Sequence, residues 1–261
     1  MNLIVCIKQV PGTTEVKINN ETNTLVREGV ESIINPFDTY AIEEGVRIKE
    51  RFGGKVTILT MGPPQADTAL KECIEVGADE GILVSDRAFA GSDTLATSYV
   101  LSKAIEKIGD YDLVIAGKQT MDGDTGQVGP GIAQRLGIPF VAYVSQVEDA
   151  IDGKMKAQRM TDEGHEIVES PLPCVMSVSK EINVPRLPSL RGKMKAKSAQ
   201  FTAWSAADLG IEENKVGVTG SPTWVMQIFS PRRECQSEML EGDSAKQVSA
   251  LYDKLSEMKV I

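Results

Sequence analysis

Asp112-Leu-Val-Ile-Ala-Gly117-Lys-Gln-Thr-Met-Asp122-Gly-Asp-Thr-Gly126-Gln-Val-Gly-Pro-Gly131 decides the fold. Leu113 to Ala116 is a short apolar run of the kind that forms a strand buried on both faces. Five glycines follow, at 117, 123, 126, 129 and 131. Ile132, Ala133 and Leu136 then restart a helical spacing that Gly137 can stop. Strand, glycine loop and helix together make a phosphate-binding geometry. Glycines bring bare N–H groups close to an anion, and the helix start adds orphan donors and a positive dipole end. The spacing matches neither G-x-G-x-x-G nor a Walker A loop, so the pattern alone is equally that of a glycine-rich turn. Thr125 and Gln127 can add side-chain donors. Asp122 and Asp124 suit ribose hydroxyls, backbone N–H groups or a cation better than bare phosphate.

The chain upstream repeats the same alternation. Leu3 to Ile7, Val56 to Leu59 and Gly81 to Val84 read as buried strands. Helices are expected after Asn35-Pro36-Phe37-Asp38, with Asp38 as N-cap, after Met61-Gly62-Pro63-Pro64, and after Phe89-Ala90-Gly91-Ser92-Asp93. Ala66, Ala69, Leu70, Cys73 and Ile74 mark the buried face of the second of these. Right-handed crossovers place such strands in one parallel sheet with helices on both faces. The expected fold class is therefore α/β, a Rossmann-like parallel sheet. Ligands then bind beyond the carboxyl ends of the strands. Lys8-Gln9, Met61-Gly62-Pro63, Phe89 to Thr94 and Gly117 to Val128 all leave such ends and should converge on one crevice.

Composition narrows the function. A chain of 261 residues with net charge −9 is no nucleic-acid binder. Cys6, Cys73, Cys174 and Cys235 show no C-x-x-C, and the first three sit in apolar patterns as core thiols, which fits a reducing, cytoplasmic compartment. His165 is the one histidine, so neither a zinc site nor a serine triad is expected, and no metal site is assigned. Met1-Asn2 leads directly into the first strand, which predicts no leader peptide, and no apolar run is long enough to span a membrane.

The second half changes character. Ile138 to Val147, Lys154 to Met160, His165 to Val168 and Cys174 to Val178 read as added β structure, and Lys17 to Asn23 as a hairpin tip. From 181 to 235 the period is lost, with Pro185, Pro188, Pro222 and Pro231 breaking it, so an extended arm is expected. Ser244-Ala-Lys-Gln247 reads as a capping box before a helix burying Val248, Leu251, Tyr252, Leu255 and Met258. Arg186 to Lys197 holds five basic residues and no acid. It reads either as a solvated loop or as a docking segment for an acidic partner.

Several stretches resemble the beta (small) subunit of electron transfer flavoprotein. They are Ile7-Lys-Gln-Val-Pro11, Asn35-Pro-Phe-Asp38, Met61-Gly-Pro63, Gly117-Lys-Gln119 and Ala157-Gln-Arg-Met-Thr-Asp-Glu-Gly-His-Glu-Ile-Val-Glu-Ser-Pro-Leu-Pro-Cys-Val-Met-Ser177. The resemblance implies an adenine-nucleotide-binding domain over 1–185. It also implies a recognition loop, arm and C-terminal helix over 186–261 that pack on an alpha subunit.

In the plain type of this family the beta subunit holds AMP. In the electron-bifurcating type, which the 122–130 loop resembles, it holds FAD. That FAD would take hydride from NADH. Electrons would pass to ferredoxin or flavodoxin and, through the alpha-subunit FAD, to an acyl-CoA dehydrogenase. The cofactor carries the redox chemistry, so no general acid or base is expected.

The nucleotide is assigned to Cys6, Lys8, Asn35, Phe37, Asp38, Met61, Gly62 and Pro63. It is further assigned to Gly117, Lys118, Gln119, Thr120, Met121, Asp122, Gly123, Asp124, Thr125, Gly126, Gln127 and Val128. Phe89, Ala90, Gly91, Ser92, Asp93 and Thr94 are placed on the flavin-ring side by convergence of strand ends. Leu187 is the docking anchor, with Arg191, Lys193 and Lys195 steering. The alternative without catalysis is a shuttle subunit that holds AMP structurally. A nucleotide sensor of universal-stress type shares only the early alternation.

Overall fold

The structure is a computed structural model and describes residues 1–12, 18–19, 24–25, 32–226 and 237–261. In chain order its strands and helices begin with β1 (Asn2–Ile7), β2 (Gln9–Pro11), β3 (Ile18–Asn19), β4 (Thr24–Leu25), β5 (Ser32–Ile34), α1 (Pro36–Phe52), β6 (Lys55–Met61) and α2 (Asp67–Glu75). They continue with β7 (Glu80–Val84), α3 (Thr94–Ile108), β8 (Leu113–Gly117), α4 (Val128–Leu136), β9 (Phe140–Ile151), β10 (Lys154–Thr161), β11 (Gly164–Pro171) and β12 (Cys174–Val178). The last are α5 (Leu190–Ser198), β13 (Thr202–Trp204) and α6 (Ser244–Glu257). Residues 1–226 form one compact unit and 227–261 a second.

Among the described residues nine strands make one sheet, in the order β11-β10-β9-β12-β8-β1-β6-β7-β13. From β9 to β13 every pairing is parallel; β10 and β11 add an antiparallel hairpin at one edge. Sequence order runs outward from β1 to β6 and β7, then restarts on the other side of β1 with β8. The switch point therefore lies between β1 and β8, where such sheets bind ligands.

The expected two-sided burial is observed. Leu3, Val5, Ile7, Leu113 and Ile115 pack on one side with Ala41, Ile42, Ile48, Leu70 and Ile74 of α1 and α2. Ile4, Cys6, Val114 and Ala116 pack on the other with Tyr99, Val100, Ile105 and Ile132 of α3 and α4. Each central strand thus alternates between two cores. Gly137 closes α4 in the left-handed region at φ 66°, as its place after Leu136 predicts. Cys6, Cys73 and Cys174 are buried free thiols.

Four expectations change. Asp38 is not the cap of α1: Asn35 is, because Pro36 fits the first helical position and puts Asp38 inside the first turn, where it is buried. The cap of α6 is Asp243, whose carboxylate accepts from Lys246 N at 3.0 Å, not Ser244. Val248, Leu251, Tyr252 and Met258 are exposed in this chain rather than buried. Within the stretch read as aperiodic, α5 forms on an N-cap at Ser189 and β13 pairs with β7. Strands β3 and β4 pair antiparallel, while the tip between them, Thr13, Pro231 and Cys235 lie outside the described residues. No helix among the described residues is long and apolar enough to cross a membrane.

Candidate functional site

The carboxyl ends of β1, β6, β7 and β8 share one lip of the sheet. Cys6 pairs with Ala116 and Ile7 with Thr60, so Lys8, Met61 and Gly117 emerge at one level. Asp38 ties the first turn of α1 to that lip. Its Oδ2 accepts from Lys8 N at 2.7 Å. Burial pushes its carboxyl up to about 7, although hydrogen bonds from the Lys8 backbone, the Asn35 side chain and the Gly117 backbone all pull it down. A Cβ on Gly117 would overlap the Asp38 carboxylate and the Phe37 carbonyl. Glycine is therefore required there by close approach, at the β8 exit.

Asn35 shapes the loop beyond. Its Nδ2 donates to Gln119 O at 2.9 Å and its Oδ1 accepts from Met121 N at 3.1 Å. Asn35 and Asp38, both assigned to ligand contact, thus spend side-chain atoms on the protein and act as scaffold of the loop. Lys8 Nζ donates to both oxygens of Asp122, at 2.7 and 2.6 Å. Burial pushes the Asp122 carboxyl up, but the Lys8 hydrogen bond and charge outweigh it and hold it below its usual range. Asp124, at φ 53°, accepts from the Gln119 side chain. Asp122 is thus neutralised by Lys8, and Asp124 is held by a neutral amide donor.

Met121 to Gln127 are exposed. α4 starts at Val128 without a side-chain cap on its first N–H groups. The uncapped start of α4 and the exposed glycine loop thus follow β8 at the switch point, with Lys8 tied to that loop through Asp122, a donor set that fits the phosphates of an adenine nucleotide. Thr125, Gly123 and Gly126 line the same open loop. Gly126 takes φ 62° with Lys118 O beside it. Lys118 turns towards β9, its Nζ 5.2 Å from the centre of the Tyr143 ring.

The 89–94 segment joins this loop through Thr94 Oγ1, which donates to Gln127 Oε1 at 2.9 Å. Asp93 caps α3 by accepting from Leu95 N and Ala96 N. The Phe89 side chain is buried in the core and Ala90 and Gly91 are exposed, so this segment offers a ligand backbone and small side chains, not an aromatic face. Cys6 is buried beneath the lip, its thiol pushed up to about 12 by burial and then by Asp38. Met61 and Gly62 are half-buried and Pro63 exposed at the end of β6.

Sequence reasoning missed the clasp that holds the 89–94 segment. Ser221 Oγ accepts from Asp93 N at 2.8 Å, Thr223 Oγ1 donates to Asp93 Oδ2 at 2.8 Å, and Ser92 Oγ accepts from Gly217 N at 2.9 Å. No periodicity marks Ser221 or Thr223, and only Pro222 between them hinted at a fixed turn. Of the docking residues, Leu187 is 88% exposed. Arg191 and Lys193 lie on α5, and Lys195 donates to Ala78 O at 2.9 Å.

The electron transfer flavoprotein domain model matches residues 22–209. That span contains α1, both glycine-loop flanks and the β9–β12 additions. The chain belongs to the electron transfer flavoprotein family. It is 48% identical to electron transfer flavoprotein subunit beta of Thermoanaerobacterium thermosaccharolyticum, over 100% of both chains. It is 46% identical to the caffeyl-CoA reductase-Etf complex subunit CarD of Acetobacterium woodii, again over 100% of both. With protein FixA of Azotobacter vinelandii it shares 45% identity over 93% of this chain and 89% of the relative. Electron transfer flavoprotein beta subunits work with an alpha subunit; among the described residues Trp224, Val225 and Met226, and Val248, Leu251 and Tyr252 of α6, are exposed.

Proposed function

We propose that this chain, paired with its alpha subunit, binds FAD at the β1/β8 switch point and serves flavin-based electron bifurcation. The observation that carries the reading is the meeting there of Lys8, the Gly117–Val128 loop and the uncapped start of α4. FAD held at this place supplies the acceptor for hydride from NADH and the donor of single electrons to ferredoxin or flavodoxin and, through the alpha-subunit FAD, to an acyl-CoA dehydrogenase.

The chain's own residues bind and orient. Lys8 and the first N–H groups of α4 hold the phosphates. Gly123 and Gly126 keep the loop free of side chains along the path of a diphosphate, while Gly117 lets the β8 exit close on Asp38 and Phe37. Asn35 and Asp38 fix the loop to α1, and Asp93, clasped by Ser221 and Thr223, fixes the opposite wall. No residue here moves a proton; the protein sets distance and potential. Leu187, with Arg191, Lys193 and Lys195 around it, docks the dehydrogenase. The CarD relative, whose name places it in a CoA reductase complex with an Etf, supports a partner that acts on acyl-CoA.

The test is anaerobic NADH oxidation by the heterodimer with ferredoxin, the dehydrogenase and an enoyl-CoA. Ferredoxin reduction that requires the enoyl-CoA supports bifurcation. NADH oxidation without any ferredoxin reduction contradicts it.

A further inference from the structure

Leu187, Leu190 and Met194 are 88%, 79% and 67% exposed. Three apolar side chains held in water need a backbone that cannot fold them away. The structure holds this segment on two sides. On the α2 side, Ser189 N donates to Glu75 O at 3.3 Å. Gly192 lies so close to the same carbonyl that a Cβ would overlap it, and Lys195 Nζ donates to Ala78 O.

On the α1 side the attachment is Arg186. Its Nε and Nη2 donate to the two oxygens of Glu43 at 2.8 and 3.0 Å. Its Nη1 and Nη2 donate to the two oxygens of Glu50 at 2.6 and 2.9 Å. Arg186 N adds a bond to Glu43 Oε2 at 3.1 Å. Beneath, Pro185, Arg186 and Pro188 roof a cavity of about 320 Å³ walled by Ile33, Ile42 and Val76. On the α1 side, where Pro185 and Pro188 face this cavity, the guanidinium fork is the polar attachment of the segment.

We propose that Arg186 is a positioning residue for partner docking: forked between Glu43 and Glu50, it holds the segment in the arrangement in which Leu187 meets the dehydrogenase. This rests on the docking role given to Leu187 above. A planar fork fixes direction as well as distance, which a lysine does not. Ordering the segment before encounter removes the entropy that docking would otherwise cost. Glu50 is half-exposed, so that arm of the clamp adds little to global stability. Glu43 is buried, so losing its partner also costs stability, and the exchange of 184–195 is the readout of local order.

The experiment uses the holo-heterodimer and, as probe, butyryl-CoA dehydrogenase reduced with butyryl-CoA. The rate of electron transfer is followed against heterodimer concentration. Arg186→Gln should raise the apparent KM about tenfold with kcat within about twofold, and Arg186→Lys should fall between it and the parent. Amide exchange over 184–195 should quicken in Arg186→Gln in step with KM. Leu187→Ala reads the docking role separately. If Leu187→Ala raises KM and Arg186→Gln does not, the clamp has no part in docking and the inference falls alone. If Leu187→Ala leaves KM unchanged, the docking reading falls and the inference with it. Unchanged amide exchange in Arg186→Gln would also overturn it.

Discussion

Gly117 stands so close to Asp38 that a Cβ built on it would overlap the Asp38 carboxylate. The exit of β8 and the first turn of α1 are thereby locked together at the switch point, and Lys8 N joins the same carboxylate.

Gly117→Ala should therefore destabilise the chain by about 1–3 kcal/mol, since neither backbone nor carboxylate can withdraw cheaply. It should also release bound nucleotide. Urea unfolding and the nucleotide content of the purified heterodimer check both, and unchanged content with normal stability would contradict the packing described.

Asp38 predicts the pH dependence. Its carboxyl is raised from 3.8 to about 7 in the folded chain. The folded state keeps the proton through a range in which the unfolded state has lost it. The stabilisation is thus full below about pH 4 and is lost as pH rises through about 7. Asp38→Asn removes this titration, so its urea midpoint should vary less between about pH 5 and about pH 8 than the parent's. Equal slopes would show that Asp38 does not titrate in this window.

Lys8 and Asp122 separate binding from stability. Their side chains are 45% and 32% exposed, so breaking the pair should cost less than about 1 kcal/mol. Binding should shift in opposite directions. Lys8→Gln removes a phosphate partner and weakens nucleotide retention, whereas Asp122→Asn frees the lysine and strengthens it. Calorimetric titration of the stripped heterodimer reads both, and a loss of affinity in Asp122→Asn would assign the aspartate to the ligand instead.

The exposed face of α6 tests assembly. Leu251→Ser with Tyr252→Ser should leave the melting temperature of the isolated chain unchanged and lower the yield of heterodimer on co-expression with the alpha subunit. Unchanged yield would remove α6 from that interface.

The sheet and the loops at its lip were legible because two-sided burial writes continuous apolar runs, as in Leu3–Ile7 and Leu113–Ala116, and because glycine and proline punctuate their ends. What these loops do with their side chains was not. Asn35 and Asp38 are assigned to the nucleotide by family resemblance, and their partners within the chain, Gln119 and Lys8, are fixed only by tertiary pairing. α5 escaped notice because Ala196 is its one buried residue, so no apolar period is written into it. β13 has three residues and draws its order from β7. In α6 the periodicity was read correctly as a face, but a face does not say which surface covers it. Arg186 was counted as one charge of a basic island, while Glu43 and Glu50, which give it direction, lie far upstream in α1.

The most direct measurement is to purify this chain with its alpha subunit and count FAD and AMP released per heterodimer. The account predicts about two FAD and no AMP, with about one FAD lost on Gly117→Ala, as expected when the added Cβ pushes Asp38 and Phe37 away and unseats the loop at the switch point. One FAD with one AMP would contradict FAD binding at the Gly117–Val128 loop and leave this subunit a structural partner in one-electron transfer.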